Sequence, residues 1–139
     1  MLRPLVCYIT KGVHAVDTQT RSAWHGMIQD IGGIEADLHA SGFSARLNNL
    51  ADRLRLVHGG PDIVDGTWPI VVANVLAAPL IEMAPVLVRR VGRRGRLILS
   101  GIPWSLESEV GQTYQRLGMR HIRSERRAGW TVLVLEASW

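Results

Sequence analysis

Apolar positions along the chain come in short runs whose spacing changes repeatedly, and those changes mark the elements. Residues 5–10 and 13–16 are β-prone runs separated by Lys11-Gly12, and the second ends at Asp17 before polar Thr18-Gln19-Thr20, which predicts two short strands. Between residues 21 and 50, Gly26, Gly32, Gly33 and Gly42 interrupt any long helix, and only 34–47 shows patchy helical spacing. Residues 53–57 alternate charged and apolar side chains as a strand does, and His58-Gly59-Gly60-Pro61 ends it. The β-branched run over 70–75 has the pattern of a strand buried on both faces of a parallel sheet.

Pro79 then suits the first turn of a helix, where its missing N–H is not needed, and the helix continues through Leu80, Met83, Leu87 and Arg90 with a kink or restart at Pro85. Gly92 and Gly95 close it, and residues 96–100 form another buried strand ending at Gly101. Val110, Tyr114 and Leu117 share one helical face over 107–117, with Gly118 as the C-terminal cap. Residues 121–127 and 130–136 flank Ala128-Gly129 as a closing antiparallel hairpin. Strand, helix, strand, helix, hairpin predicts an α/β layered sheet, mostly parallel.

At 139 residues the chain has room for about one domain, here taken as 1–139. Its 47% apolar and 20% charged residues place it among globular proteins rather than disordered or fibrous ones. The longest apolar stretch, residues 70–81, is interrupted by Asn74 and Pro79, well short of the roughly 20 residues that span a bilayer. Met1-Leu2-Arg3-Pro4 and the short run behind it lack a secretory pattern, so a cytoplasmic chain with no membrane partner is expected. Cys7 stands alone, which excludes an internal disulfide and a cysteine-paired zinc site; His14, His25, His39, His58 and His121 show no metal-ligand spacing, so no metal is expected.

The net charge of +4 is uneven: residues 1–70 carry six Lys/Arg against seven Asp/Glu, and residues 71–139 carry ten against five. Arg89-Arg90-Val91-Gly92-Arg93-Arg94-Gly95-Arg96 can contact phosphates. It falls at a helix-to-strand turn, opposite the strand ends that bind ligands. The reading preferred on sequence is a solvated turn whose cations complement the helix dipole.

Ligands of an open parallel sheet collect at the carboxyl ends of its strands. Asn74 is polar at such an end, in Val71-Val72-Ala73-Asn74-Val75-Leu76-Ala77-Ala78-Pro79-Leu80. Two readings stay open there: an asparagine that caps the next helix or bonds its own loop, and one that faces a ligand crevice. Trp104, just past another strand's carboxyl end, is a candidate pocket wall. Ser100 and Ser105 lie outside any G-x-S-x-G elbow, so serine hydrolysis has no support.

The Val71 to Leu80 segment resembles the fourth motif of the ribosomal protein L-eleven methyltransferases, a branch of the class I S-adenosylmethionine-dependent methyltransferases. The likeness continues through Ile81-Glu82-Met83-Ala84-Pro85 and Gly92 to Ile102 into the strand at 130–136, so residues 50–139 carry it. The resemblance implies a Rossmann-like class I methyltransferase sheet, S-adenosyl-L-methionine as cofactor, and methyl transfer to lysine and N-terminal amines of ribosomal protein L-eleven. It implies Asn74 as the catalytic residue at the cofactor's methionine end, Leu76 as a further cofactor contact, and Pro79 and Trp104 as substrate contacts. Asp17 and Asp30 are alternatives for the acidic residue that bonds the cofactor's ribose.

The sequence departs from the family pattern on its N-terminal side. No D-x-G-x-G-x-G loop follows the first strand, so the domain is expected to be incomplete there, with weak or absent cofactor affinity and a homodimer formed through an exposed sheet edge. The competing reading is a non-catalytic module that binds a ribosomal protein, or RNA through Arg93, Arg94 and Arg96.

Overall fold

The computed structural model describes residues 65–139 in full and, before them, the backbone of three strands: β1 (Val6–Thr10), β2 (Val13–Asp17) and β3 (Leu54–His58). Then follow β4 (Trp68–Asn74), two short helices α1 (Ala77–Glu82) and α2 (Ala84–Arg89), β5 (Val91–Pro103), a 3-10 turn (Trp104–Leu106), α3 (Glu107–Arg116), β6 (Met119–Arg127) and β7 (Trp130–Ala137). The strands form one seven-stranded sheet in the order β3-β2-β1-β4-β5-β7-β6. Asp30 and the patchy helical spacing over 34–47 lie outside the described residues.

The α/β class expected from the sequence holds, but parallel pairing is confined to the centre. β4 pairs in parallel with β1 and with β5, whereas β1/β2, β2/β3, β5/β7 and β6/β7 are antiparallel. For β1/β2 and β6/β7 the reason is connection length. Two residues separate β1 from β2 and two separate β6 from β7, enough for an antiparallel return and far fewer than the dozen or more that a parallel crossover needs. The α1–α2 pair supplies that length between β4 and β5.

Two proline effects shape the centre. Pro85 has no N–H to continue α1, so the chain breaks at Met83 and restarts as α2 with Pro85 in its first turn. Pro69 in β4 cannot donate to the ladder, and opposite it β5 bulges: Trp68 pairs with Val91 and Ile70 with Arg96, leaving Gly92 to Gly95 outside the register. The bulge closes tightly enough that a Cβ on Gly95 would lie 2.8 Å from the Gly92 carbonyl and 3.0 Å from that of Pro69. The glycines expected to terminate a helix therefore belong to a strand; the Arg90 carbonyl accepts from the Trp68 N–H at 2.8 Å, which captures the chain into the sheet as soon as α2 ends.

The three helices among the described residues cover one face of the sheet. Val71 and Ala73 of β4, Leu97, Leu99 and Ile102 of β5, and Leu133 and Leu135 of β7 pack there against Leu80, Leu87, Val110 and Tyr114. The residues between them point to the other face, where Val72, Asn74, Ile98, Ser100, Val132 and Val134 are half-buried. Two polar contacts lock the helical layer. The Tyr114 hydroxyl, fully buried, donates to the Leu80 carbonyl at 2.7 Å and ties α3 to the last turns of α1. Glu107, at the start of α3, accepts from Arg126 Nε at 2.6 Å and from the hydroxyl of buried Thr131 at 3.2 Å, fastening α3 to the hairpin.

No helix among the described residues is long and apolar enough to cross a membrane. The outer strands of the sheet are β3 and β6. β6 presents exposed Arg120, Arg123, Arg126 and Arg127, a charged edge that resists pairing with another copy.

Burial pushes the Tyr114 hydroxyl well above its ordinary value of 10.0. A raised folded-state value makes this contribution complete below about pH 10, the unfolded value, and lost progressively as pH climbs above it. Urea unfolding between pH 8 and 11 should show a decline in wild type that is smaller in Tyr114→Phe, which is itself less stable at pH 8 by about 1 kcal/mol through loss of the bond to Leu80. Equal pH slopes in the two proteins refute this assignment. The hydrogen bond from Arg126 holds the Glu107 carboxyl below its usual range, helped by Thr131 and offset in part by burial. Its stabilisation is complete above about pH 4.5 and is lost as pH falls through the lowered folded-state value. Glu107→Ala should cost about 1–2 kcal/mol at pH 7 by leaving the Thr131 hydroxyl without its acceptor, with the difference from wild type shrinking in acid.

Candidate functional site

The reversal of chain direction across the sheet selects one place for a ligand. From β1 the chain builds outward to β2 and β3, then returns to the other side of β1 to lay down β4 and the strands beyond. The crevice of such a sheet opens at the carboxyl ends of the strands flanking the switch, here β1 and β4. Asn74 is the last residue of β4 and so stands at that crevice.

The local backbone is built around Asn74. It pairs in register with Ser100 of β5, and on the next residue β5 reaches Gly101 at φ +82°. A Cβ at Gly101 would lie 2.5 Å from the Val75 carbonyl oxygen and 3.3 Å from Asn74 Oδ1. The backbone of β5 thus passes directly beneath the Asn74-Val75 turn, in a conformation and a space that admit glycine alone. The sequence reading ended the strand at Gly101, whereas β5 runs through it to Pro103. The signal was present in the sequence, since an isolated glycine within an apolar strand marks close backbone approach.

The remaining predicted residues divide by position. Leu76, 57% exposed, is the N-cap of α1 with no side-chain capping bond, and Pro79 is exposed in that helix's first turn. Both follow Asn74 closely on the carboxyl side of β4. The N-cap position of α1 itself belongs to Leu76, two residues after Asn74. Trp104, 62% exposed, opens the 3-10 turn beyond β5 and walls a groove of about 350 Å³ between α3 and the β6–β7 hairpin, together with Ser108, Gln112, His121 and Arg126. That groove lies on the helical side of the sheet. Asn74, on the opposite face, does not line it.

Asp17 is not brought to Asn74. Because β2 runs antiparallel to β1, Asp17 pairs with Val6, which in turn pairs with Ile70. That register places it at the amino end of β4, four residues before Asn74, or about 13 Å along the strands before any lateral offset is added. The two-residue β1–β2 connection has room for neither a glycine-rich loop nor the helix such a loop would open. At the end of β4 the neutral amide of Asn74 thus sits over the backbone of Gly101.

Comparison with known proteins identifies the chain's relatives. The family model described as "Ribosomal protein L11 methyltransferase (PrmA)" matches residues 29–138. A ribosomal protein L11 methyltransferase of Methylococcus capsulatus is 34% identical over 122 residues, 88% of this chain and 36% of that protein. One of Allorhizobium ampelinum is 39% identical over 71 residues, 51% of this chain and 24% of that protein. The chain thus spans between a quarter and about a third of the length of these relatives. Among solved structures, the ribosomal protein L11 methylase of Lactobacillus delbrueckii subsp. bulgaricus superposes with a TM-score of 0.64 at 24% identity, over 73% of this chain and 53% of that one. A methyltransferase of Pyrococcus furiosus does so at 0.55 and 12% identity, covering 73% and 59%. These likenesses show a methyltransferase fold, and the extent of the family match is decisive for descent: the chain belongs to the ribosomal protein L11 methyltransferase family.

Proposed function

We propose that this chain carries the amine-facing part of an S-adenosyl-L-methionine-dependent protein N-methyltransferase site, with lysine or N-terminal amines of ribosomal protein L11 as substrate in the cytoplasm. The observation that supports it most is Asn74 at the carboxyl end of β4, beside the switch point, over a glycine that no other residue can replace without moving it. The cofactor, when bound, supplies an electrophilic methyl group on a sulfonium. The protein then has to hold a neutral amine with its lone pair directed at that carbon, which is a task of positioning rather than of charge. The Asn74 side-chain carbonyl accepts a hydrogen bond from the amine N–H and fixes its orientation, and because the amide is uncharged it neither repels the sulfonium nor holds the amine as an ammonium ion. Leu76, exposed just after it, offers an apolar contact to the cofactor, and Pro79 on the first turn of α1 offers one to the substrate chain.

A second reading rests on the two-residue β1–β2 connection, which removes the loop that would hold the cofactor: a protein that kept the sheet and binds its partner without chemistry. The two are separable. With tritiated methyl donor at millimolar concentration, the chain should transfer label to ribosomal protein L11, and Asn74→Ala should lower that transfer by about a hundredfold while leaving the circular dichroism unchanged. Retention of the ribosomal protein with no transfer at any donor concentration favours the non-catalytic reading. Calorimetric titration should find donor affinity weaker than about 0.1 mM, as expected when a positioned loop is missing; micromolar binding contradicts the incomplete seat.

Gly101→Ala should reduce transfer at least tenfold and destabilise the fold by about 1–3 kcal/mol, since the new Cβ must displace the Asn74-Val75 turn and sits at a φ that favours glycine. An unaltered rate in that variant would remove the positioning role given to Gly101.

A further inference from the structure

The end of the sheet away from Asn74 has a chemistry of its own. On the β4–β7 half, Arg89, Arg93, Arg94, Arg96 and Arg120 gather there, with Asp65 and Glu136 as the facing carboxylates among the described residues. Glu136 is shared between two of the five, Arg96 at 3.1 Å and Arg120. Its carboxyl is held below the usual range by the hydrogen bond from Arg120 and by both positive charges. Arg89, Arg93 and Arg94 make no ion pair among the described residues. Arg89 stands in the last turn of α2, where a cation complements the helix dipole. That account does not reach Arg93 and Arg94.

These two occupy the bulge opposite Pro69, outside the ladder, and both are exposed. Arg94 is held at φ 52°, a left-handed conformation that costs a non-glycine residue energy, by its N–H donating to the Trp139 carbonyl at 2.9 Å. The same contact fixes Trp139. Its ring rests against Gly118, where a Cβ would come within 3.3 Å of Cζ3, and is 41% exposed. A half-open indole is thus carried by the residue that the Arg94 backbone holds, and neither Arg93 nor Arg94 pairs with a carboxylate among the described residues.

We propose that this amino-end surface binds a single-stranded nucleic-acid segment, with phosphates on Arg93 and Arg94, and Arg89 alongside, and a base stacked on Trp139. Charge complementarity names a polyanion, and guanidinium forks match phosphate oxygens in pairs. The aromatic ring narrows the partner, since unpaired bases stack on exposed indoles whereas lipid headgroups present no such face. This surface lies at the opposite end of the sheet from Asn74, so the inference stands apart from the methyl-transfer reading.

The test uses the full chain and a fluorescein-labelled 20-nucleotide RNA of mixed sequence, followed by anisotropy from 50 to 300 mM salt. Arg93→Gln with Arg94→Asn should weaken binding at least tenfold and reduce the slope of log Kd against log salt by about 1.4, near 0.7 for each lost phosphate contact. Arg123→Gln with Arg127→Gln removes the same charge from elsewhere on β6 and should leave both quantities unchanged. Trp139→Leu should weaken binding roughly tenfold without altering the slope, the signature of stacking rather than charge. No binding at 50 mM salt, or equal losses from the two double variants, overturns the proposal. So does binding to phosphatidylglycerol vesicles that equals binding to RNA and falls equally with Arg93 and Arg94, which would make the surface a membrane contact.

Discussion

Parallel pairing of β4 with its two neighbours is the constraint on which the other features depend. A parallel pair forces the chain to leave one end of the sheet and re-enter at the other, so carboxyl ends and amino ends are segregated in space. Asn74, the last residue of β4, and Gly101, near the end of β5, therefore meet at one pole, while the strand beginnings at Trp68 and Val91 meet at the opposite one. The register that sets Asn74 against Ser100 also places Gly101 under the turn that follows Asn74. Had β4 and β5 been antiparallel, the asparagine would have faced the start of β5 and the arginine-bearing bulge instead.

The same segregation sorts the chemistry by type. Among the described residues, those that follow Asn74 at its pole, Leu76 and Pro79, are apolar. At the far pole arginines outnumber carboxylates. A cation cluster beside a sulfonium donor would oppose its binding, and distance spanning the sheet removes that conflict. The helical layer holds the arrangement rigid through contacts that do no chemistry: Tyr114 on the Leu80 carbonyl, and Glu107 shared by Arg126 and Thr131.

Membership of a methyltransferase family sits beside an N-terminal arrangement that differs from the pattern the resemblance implied. The antiparallel β1–β2 pair stands beside β4 and is joined by only two residues, so no helix lies between those two strands. Asp17 illustrates the consequence: it ends a strand, as an acidic ribose ligand would, but the direction of that strand carries it to the wrong pole.

Sequence by itself determined the elements from β4 onward, because each has a strong local cause. The β-branched run makes β4, Pro85 divides α1 from α2, the Val110–Tyr114 spacing makes α3, and Ala128-Gly129 turns the hairpin. It also singled out Asn74, through polarity at the end of an apolar run together with the surrounding motif. The short Lys11-Gly12 connection sets β2 antiparallel to β1, but tertiary structure alone decided the place of Asp17, since only the pairing of β1 with β4 sets it level with the amino end of β4. Likewise the bulge at Gly92 to Gly95 arises from a proline on the neighbouring strand, more than twenty residues earlier, and a local reading of those glycines saw only the end of a helix. Gly101's constraint is of the same kind: the atoms that forbid a side chain there belong to Asn74 and Val75, and only parallel pairing brings them within reach.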